Sequence, residues 1–190
     1  AYGADSLRLF EMFLGPLEAV KPWSEKGIEG VHRFLKKVFR EANSPAKHVI
    51  HEENNPETLR LLHETILKVT ESIEELRFNV AISQMMILAN QLQKVERFSA
   101  ETIKTLLQLL APFAPHLAEE LWQAMGGTRS VVNQPWPIAR KELLISDEIT
   151  IVFQVNGKLR GEAKFAKDAT KDEIISTAKE HEKVLAFTTG

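Results

Sequence analysis

Residues 55–76 read NPETLRLLHETILKVTESIEEL, and this stretch decides the fold class. Asn55 has the side chain of a helix N-cap, Pro56 suits the first helical position, and Glu57 places an acid in the first turn. Leu59, Leu62, Ile66, Val69, Ile73 and Leu76 then recur at alternating spacings of three and four, which predicts a long helix with one buried stripe. Outward along the chain the same texture repeats. Phe78, Ile82, Met85, Ala89 and Leu92 form a second run, and Ile103, Leu106, Leu107 and Leu110 a third that opens at Ser99. Pro112 and Pro115 interrupt the third run. Pro115 starts a fresh helix through Leu117, Leu121, Trp122 and Met125, closed by Gly126-Gly127.

Towards the N-terminus, Leu7, Phe10, Phe13 and Leu14 mark a short helix ended by Gly15-Pro16, followed by a Lys21-Pro22-Trp23 loop. Val31, Phe34, Leu35, Val38 and Phe39 fall at i, i+3, i+4, i+7 and i+8, so a helix is expected from Ile28 to Ala42. Residues 43–57 lack a sustained period and read as a loop with room for a helical turn. The expectation is a mainly α protein, with a helical bundle over 1–137.

Beyond Ser130 the period is lost. Pro135-Trp136-Pro137 leads into a linker over 138–147, and then Ile149, Ile151, Phe153 and Val155 alternate with polar or outward positions up to Asn156-Gly157. Leu159, Gly161, Ala163 and Phe165 alternate with Lys158, Arg160, Glu162 and Lys164, completing a hairpin. A two-residue turn would set Phe153 against Arg160. A three-residue loop, Val155-Asn156-Gly157, instead pairs Phe153 with Leu159, Ile151 with Gly161 and Ile149 with Ala163, and this register is expected because it makes one face apolar. Thr170-Lys171-Asp172-Glu173 is a capping box opening a helix with Ile174, Ile175, Ala178, Val184 and Leu185. Residues 148–190 thus read as a small ββα domain, α+β in class and too slight to be complete.

The 190 residues, 44% hydrophobic and 26% charged, suffice for one or two domains with a true core. No apolar run reaches the ~18 residues that suggest a membrane span, so no membrane association is expected. The absence of cysteine removes disulfides and thiolate chemistry and fits a reducing, cytoplasmic setting. Beginning at Ala1 without an initiator Met or a leader, the chain reads as a piece of something longer.

A catalytic constellation is not found. His48 and His51 have i, i+3 spacing, but a polar loop is the simpler reading and no metal site is expected. Glu74-Glu75 and Glu119-Glu120 are adjacent pairs that a helix sends in different directions, so they read as solvated faces. No phosphate loop, nucleophile elbow or dinucleotide fingerprint occurs. With a net charge of −2, any case for nucleic acid must be local. Arg33, Lys36, Lys37 and Arg40 share one helical stripe with no acid between residues 30 and 40, either a solubilising face or a phosphate-facing ridge. Lys158, Arg160, Lys164 and Lys167 surround the single acid Glu162 in the hairpin, where edge-strand protection competes with RNA binding. Phe34, Phe39, Phe78, Phe113 and Trp122 lie on apolar stripes and are expected in the core, whereas Trp23 and Trp136 are expected to plug the ends of the bundle.

Taken together, Tyr2 through Leu9 (YGADSLRL), Gly30 through Phe39 (GVHRFLKKVF), Arg77 through Ile82 (RFNVAI), Ala111 through Trp122 (APFAPHLAEELW) and Phe153 through Gly161 (FQVNGKLRG) resemble the C-terminal part of the bacterial leucyl branch of class I aminoacyl-tRNA synthetases. FQVNGKLRG and Pro135-Trp136-Pro137 point to the leucyl branch rather than the valyl or isoleucyl ones. The resemblance implies a class I anticodon-binding helical bundle followed by part of a C-terminal tRNA-binding domain. It also implies a parent that activates leucine with ATP and Mg2+ and transfers it to leucine tRNA. The catalytic and editing domains would lie upstream, so this piece is expected to be inactive alone, to hold no cofactor and to be a monomer. Asp5 and Arg8 match a helix at the junction, as a cap and an ion-pairing residue. Arg33, Lys36, Lys37 and Arg40 then suit tRNA backbone contacts, and Lys158, Arg160 and Lys164 the outer corner of the tRNA. The rival expectation from another class is a helical protein-interaction module that binds an acidic partner.

Overall fold

The computed structural model describes residues 2–15, 27–49, 51, 55–144, 148–166 and 169–181, with the backbone alone at 148–150, 164 and 166. Trp23, Lys167, Val184 and Leu185 lie outside the described residues. The chain divides into two compact units, Ala1–Leu144 and Ile145–Gly190.

The first unit is a bundle of α1 (Ala4–Phe13), α2 (Ile28–Ala42), α3 (Pro56–Glu74), α4 (Phe78–Lys94), α5 (Ala100–Leu110) and α6 (Pro115–Ala124). Local chemistry sets its boundaries. Asn55 Oδ1 accepts from the Thr58 N–H at 3.0 Å to cap α3, and Ser99 Oγ accepts from the Glu101 N–H at 3.2 Å to cap α5. Gly126, with φ of 83°, closes α6 while the Gly127 N–H donates to the Trp122 carbonyl at 3.0 Å, a left-handed stop that a residue with a Cβ adopts at a cost. Leu9, Phe10, Val31, Phe34, Leu35, Val38, Ile66, Val69, Ile82, Met85, Leu88, Leu92, Ile103, Leu107 and Phe113 belong to one continuous buried cluster, which ties all the bundle helices to one core. Two short strands, β1 (His48–Val49) and β2 (Phe98–Ser99), pair in parallel within the loops.

Several side chains on predicted apolar stripes lie elsewhere, among them Leu7 of α1, which is exposed. Leu76 is not in α3: it sits in the turn to α4 with φ of 57° and is 54% exposed, taking the left-handed position while the Arg77 N–H donates to the Ser72 carbonyl at 2.7 Å. Phe39 is 50% exposed, because α2 buries the Val31, Phe34, Leu35 and Val38 side and Phe39 falls at that stripe's edge. Trp122 is half-buried, its indole N–H donating to the Arg129 carbonyl at 2.8 Å.

Residues 138–144, read as the start of a linker, belong to the first unit. The Lys141–Leu144 turn packs on α3, and the Arg140 N–H donates to buried His63 Nδ1 at 3.1 Å. Trp136 likewise lies along α3, its indole N–H donating to Thr70 Oγ1 at 2.8 Å. Positions 145–147 of that linker lie outside the described residues. Glu119, expected on a solvated face, instead clamps a loop by accepting from Ser130 Oγ at 2.8 Å and the Val131 N–H at 2.9 Å. Those bonds, with one from Gln123, hold its carboxyl below the usual range.

The second unit contains β3 (Glu148–Val155), β4 (Lys158–Ala166) and α7 (Lys171–Glu180). Its hairpin corrects the expected register. Asn156 (φ 52°) and Gly157 (φ 74°) both adopt left-handed backbone, forming a two-residue turn that pairs Val155 with Lys158 and Gln154 with Leu159. Arg160 then has no opposite number, a bulge that shifts the ladder so that Phe153 faces Gly161, Ile151 faces Ala163 and Ile149 faces Phe165. The opposition of Phe153 and Arg160, which argues against the short turn, is thus removed by the bulge. Leu159 pays for it by pointing outward, 64% exposed rather than on the apolar face. Phe153 and Phe165 form the centre of the small core, edge to face at 6.2 Å, with Ile174 and Ala178 of α7 against them. Thr170 and Glu173 make the full capping box at the start of α7.

Candidate nucleic-acid interface

Burial of Val31, Phe34, Leu35 and Val38 fixes the rotation of α2, and so turns the stripe at i, i+3, i+4 and i+7 outward. Arg33, Lys36 and Arg40 are exposed and Lys37 is half-buried, all on one ridge. Their surroundings differ. Among the described residues Arg33 and Lys36 make no ion pair or side-chain hydrogen bond, so both cations are available. Lys37 donates from Nζ to Asn90 Oδ1 of α4, which places the ridge beside that helix. Arg40 pairs with Glu41 at 3.1 Å.

Glu41 is 3% exposed and also receives Lys47 Nζ at 2.7 Å, and the same ammonium donates to the Leu92 carbonyl at 2.7 Å. Two cations sharing one carboxylate leave a net positive charge at this end of the ridge. Lys47 carried no sequence signal, because it lies in an aperiodic loop that only the tertiary fold brings to α4. His48, weighed as a metal ligand, sits in β1 with Nε2 2.8 Å from the Glu41 carbonyl oxygen, in the same polar cluster.

On the flank of α2 opposite α4 lies an open cleft of about 350 Å³. Tyr2, His32, Leu35, Lys36, Phe39 and Leu117 contribute to its lining. Several polar atoms of its lining are engaged within the fold. Asp5 is buried and reaches from α1 to cap α6, accepting from the Leu117 N–H at 2.7 Å and lying 2.8 Å from His116 Nδ1. Ser6 Oγ and His32 Nδ1 are 3.1 Å apart. Asp5 is a cap, as its motif suggests, but of a helix more than a hundred residues away. Arg8 departs from expectation: it makes no ion pair among the described residues and donates to the carbonyls of Phe113 at 3.2 Å and Pro112 at 3.0 Å, at the α5–α6 corner. The half-exposed Tyr2 and Phe39 were not legible as part of a surface, since Tyr2 precedes any periodic run and Phe39 fits a core stripe.

In the second unit, Lys158 is exposed at the end of the hairpin turn. Arg160 is the bulged residue and half-buried, so its guanidinium is less open than a strand-face position suggests. Lys164 stands opposite Thr150 in the ladder. These positions share one hairpin. Among the described residues, no group of His, Asp and Glu is placed to hold a metal ion, and no helix is long and apolar enough to cross a membrane.

Residues 56–175 match the family model described as the anticodon-binding domain of tRNA ligase. The whole chain is similar to part of the leucine–tRNA ligases of Chlorobaculum tepidum (49% identical) and Chlorobaculum parvum (48%). It spans 24% of the length of each of these relatives. A crystal structure of the ternary complex of a LeuRS from Agrobacterium radiobacter K84 with tRNA and LeuAMS is similar over 97% of this chain and 26% of that one, with a TM-score of 0.71 at 29% identity.

Proposed function

The chain belongs to the family of anticodon-binding domains of tRNA ligases, and from that premise we propose that it is the tRNA-binding part of a leucine–tRNA ligase, holding leucine tRNA for a catalytic domain elsewhere in the parent protein. The observation that carries this reading is the α2 ridge, where a buried apolar face turns Arg33, Lys36, Lys37 and Arg40 outward. Lys and Arg on one ridge neutralise phosphates and position RNA without reading its sequence. Lys158, Arg160 and Lys164 on the hairpin would provide a second contact, at the outer corner of the tRNA.

Identity of 46–49% over the whole chain with leucine–tRNA ligases supports leucine as the amino acid. In such a parent, ATP and Mg2+ serve the activation of leucine in the catalytic domain, and a separate editing domain removes mistakes. This chain would contribute no catalytic group, hold no cofactor, act as a monomer and work in the cytoplasm. Its division would be a bundle, a short connection and a C-terminal tRNA-binding domain. A scaffold for an acidic protein has no observation that favours it over RNA.

The test is tRNA binding across a salt series. Each phosphate contact contributes roughly 0.7 to 0.9 to the slope of log affinity against log salt, so Lys36→Ala with Lys37→Ala should flatten the slope by about 1.5. Affinity should fall for every tRNA tried. An unchanged slope and affinity would mark the ridge as a solvated face.

A further inference from the structure

The cleft beside α2 adjoins the cationic ridge, which contributes Lys36 to its lining. Tyr2 is 42% and Phe39 50% exposed, whereas Phe10, Phe34, Phe98 and Phe113 of the same unit are buried and Phe13 and Phe78 half-buried. Lys36 belongs both to the ridge and to the cleft lining, which places an uncommitted ammonium at the mouth of an aromatic slot. Asp5, Ser6 and His116 Nδ1 are engaged within the fold, and the cleft sets the exposed Tyr2 and Phe39 rings beside Lys36. Exposed aromatic faces beside a cation suit a flat, uncharged ring joined to an anion. A second concavity, near Glu119 and Glu120, has carboxylates in its lining and repels phosphate.

We infer that this cleft receives one unstacked nucleobase of the bound tRNA, with Phe39 and Tyr2 as stacking faces and Lys36 beside the attached phosphate. The inference rests on the tRNA-binding reading above and adds a subsite to it. Stacking on an aromatic face is tolerant of base identity, because every base has a π-face. The subsite therefore strengthens binding without selecting sequence.

The experiment compares Phe39→Ala, Phe39→Trp and the Lys36→Ala/Lys37→Ala pair in this chain, by tRNA binding at several salt concentrations. Loss of a stacking face should weaken binding about tenfold while leaving the salt slope as it was. Phe39→Trp should restore affinity, and its indole fluorescence should be quenched when tRNA binds. The lysine pair should do the reverse, changing the slope. Phe39 is half-exposed, so both Phe39 variants should melt close to the parent chain, which is measured alongside. Equal affinity of Phe39→Ala and the parent chain, with no quenching in Phe39→Trp, overturns the subsite but not tRNA binding. Unchanged tRNA affinity together with a lowered melting temperature of the full-length ligase overturns it in favour of a protein surface covering Phe39. Failure of the unmodified chain to bind tRNA overturns both readings.

Discussion

At the scale of single residues, the structure gives sharp roles to side chains that sequence pattern leaves ordinary. His63 is buried on α3 and accepts the Arg140 N–H through Nδ1, so it must be neutral with its proton on Nε2. Burial, and then the charge of Arg140, push its pKa below the ordinary 6.5. The folded form therefore resists protonation more than the unfolded chain, and the associated stability is complete above about pH 6.5 and declines as pH falls below it. Thermal melts at pH 7.5 and 5.5 should show this loss, and His63→Asn, which keeps an acceptor near the Nδ1 position, should reduce the difference between the two. Gly161 offers a second test. A Cβ built there would lie 2.5 Å from the His181 ring, which itself stacks edge to face on Phe153 at 5.7 Å. Gly161→Ala should therefore destabilise the second unit by roughly 1–3 kcal/mol, as overpacking does, read from chemical denaturation of that unit.

At the scale of elements, α6 depends on α1 for its start. No side chain of its own segment caps it, and Asp5 supplies the missing acceptor to the Leu117 N–H. Asp5→Ala should cost about 1–2 kcal/mol, the usual loss for a helix cap, and lower the melting temperature of the bundle by a few degrees. Asp5→Asn, which keeps an acceptor, should recover part of it. The start of α7 is self-sufficient by contrast. Glu173 accepts from the Thr170 N–H at 2.8 Å, and the bonds from Thr170 hold its carboxyl below the usual range. This contribution is present above the ordinary pKa near 4.5 and is lost as pH falls through the lowered folded value. Thr170→Ala should reduce α7 helicity at neutral pH, measured by amide exchange at 174–178, and weaken its dependence on acid.

At the scale of the whole molecule, each unit has its own core, centred on Met85 and Leu107 in the bundle and on Phe153 and Phe165 in the small domain. Calorimetry should then show Gly161→Ala moving only the transition of the second unit, and Asp5→Ala only that of the first. The sequence by itself determined the helices of the bundle, the caps at Asn55 and Thr170, the presence of the hairpin and the outward cationic stripe, because these depend on local periodicity and on side chains within a few residues of the backbone they serve. Long-range packing decided the rest. Whether Phe39 is core or surface depends on how far the neighbouring helices cover α2. Residues 138–144 became part of the bundle because α3 offers them His63, a partner far away in the chain. The hairpin register followed from Asn156 and Gly157 accepting the tight turn, with Arg160 bulging to restore the apolar face; alternation along one strand cannot count the residues of its partner. The cleft joining Tyr2, Phe39 and Lys36 exists only when the starts of α1 and α6 meet the flank of α2, so no stretch of sequence contains it.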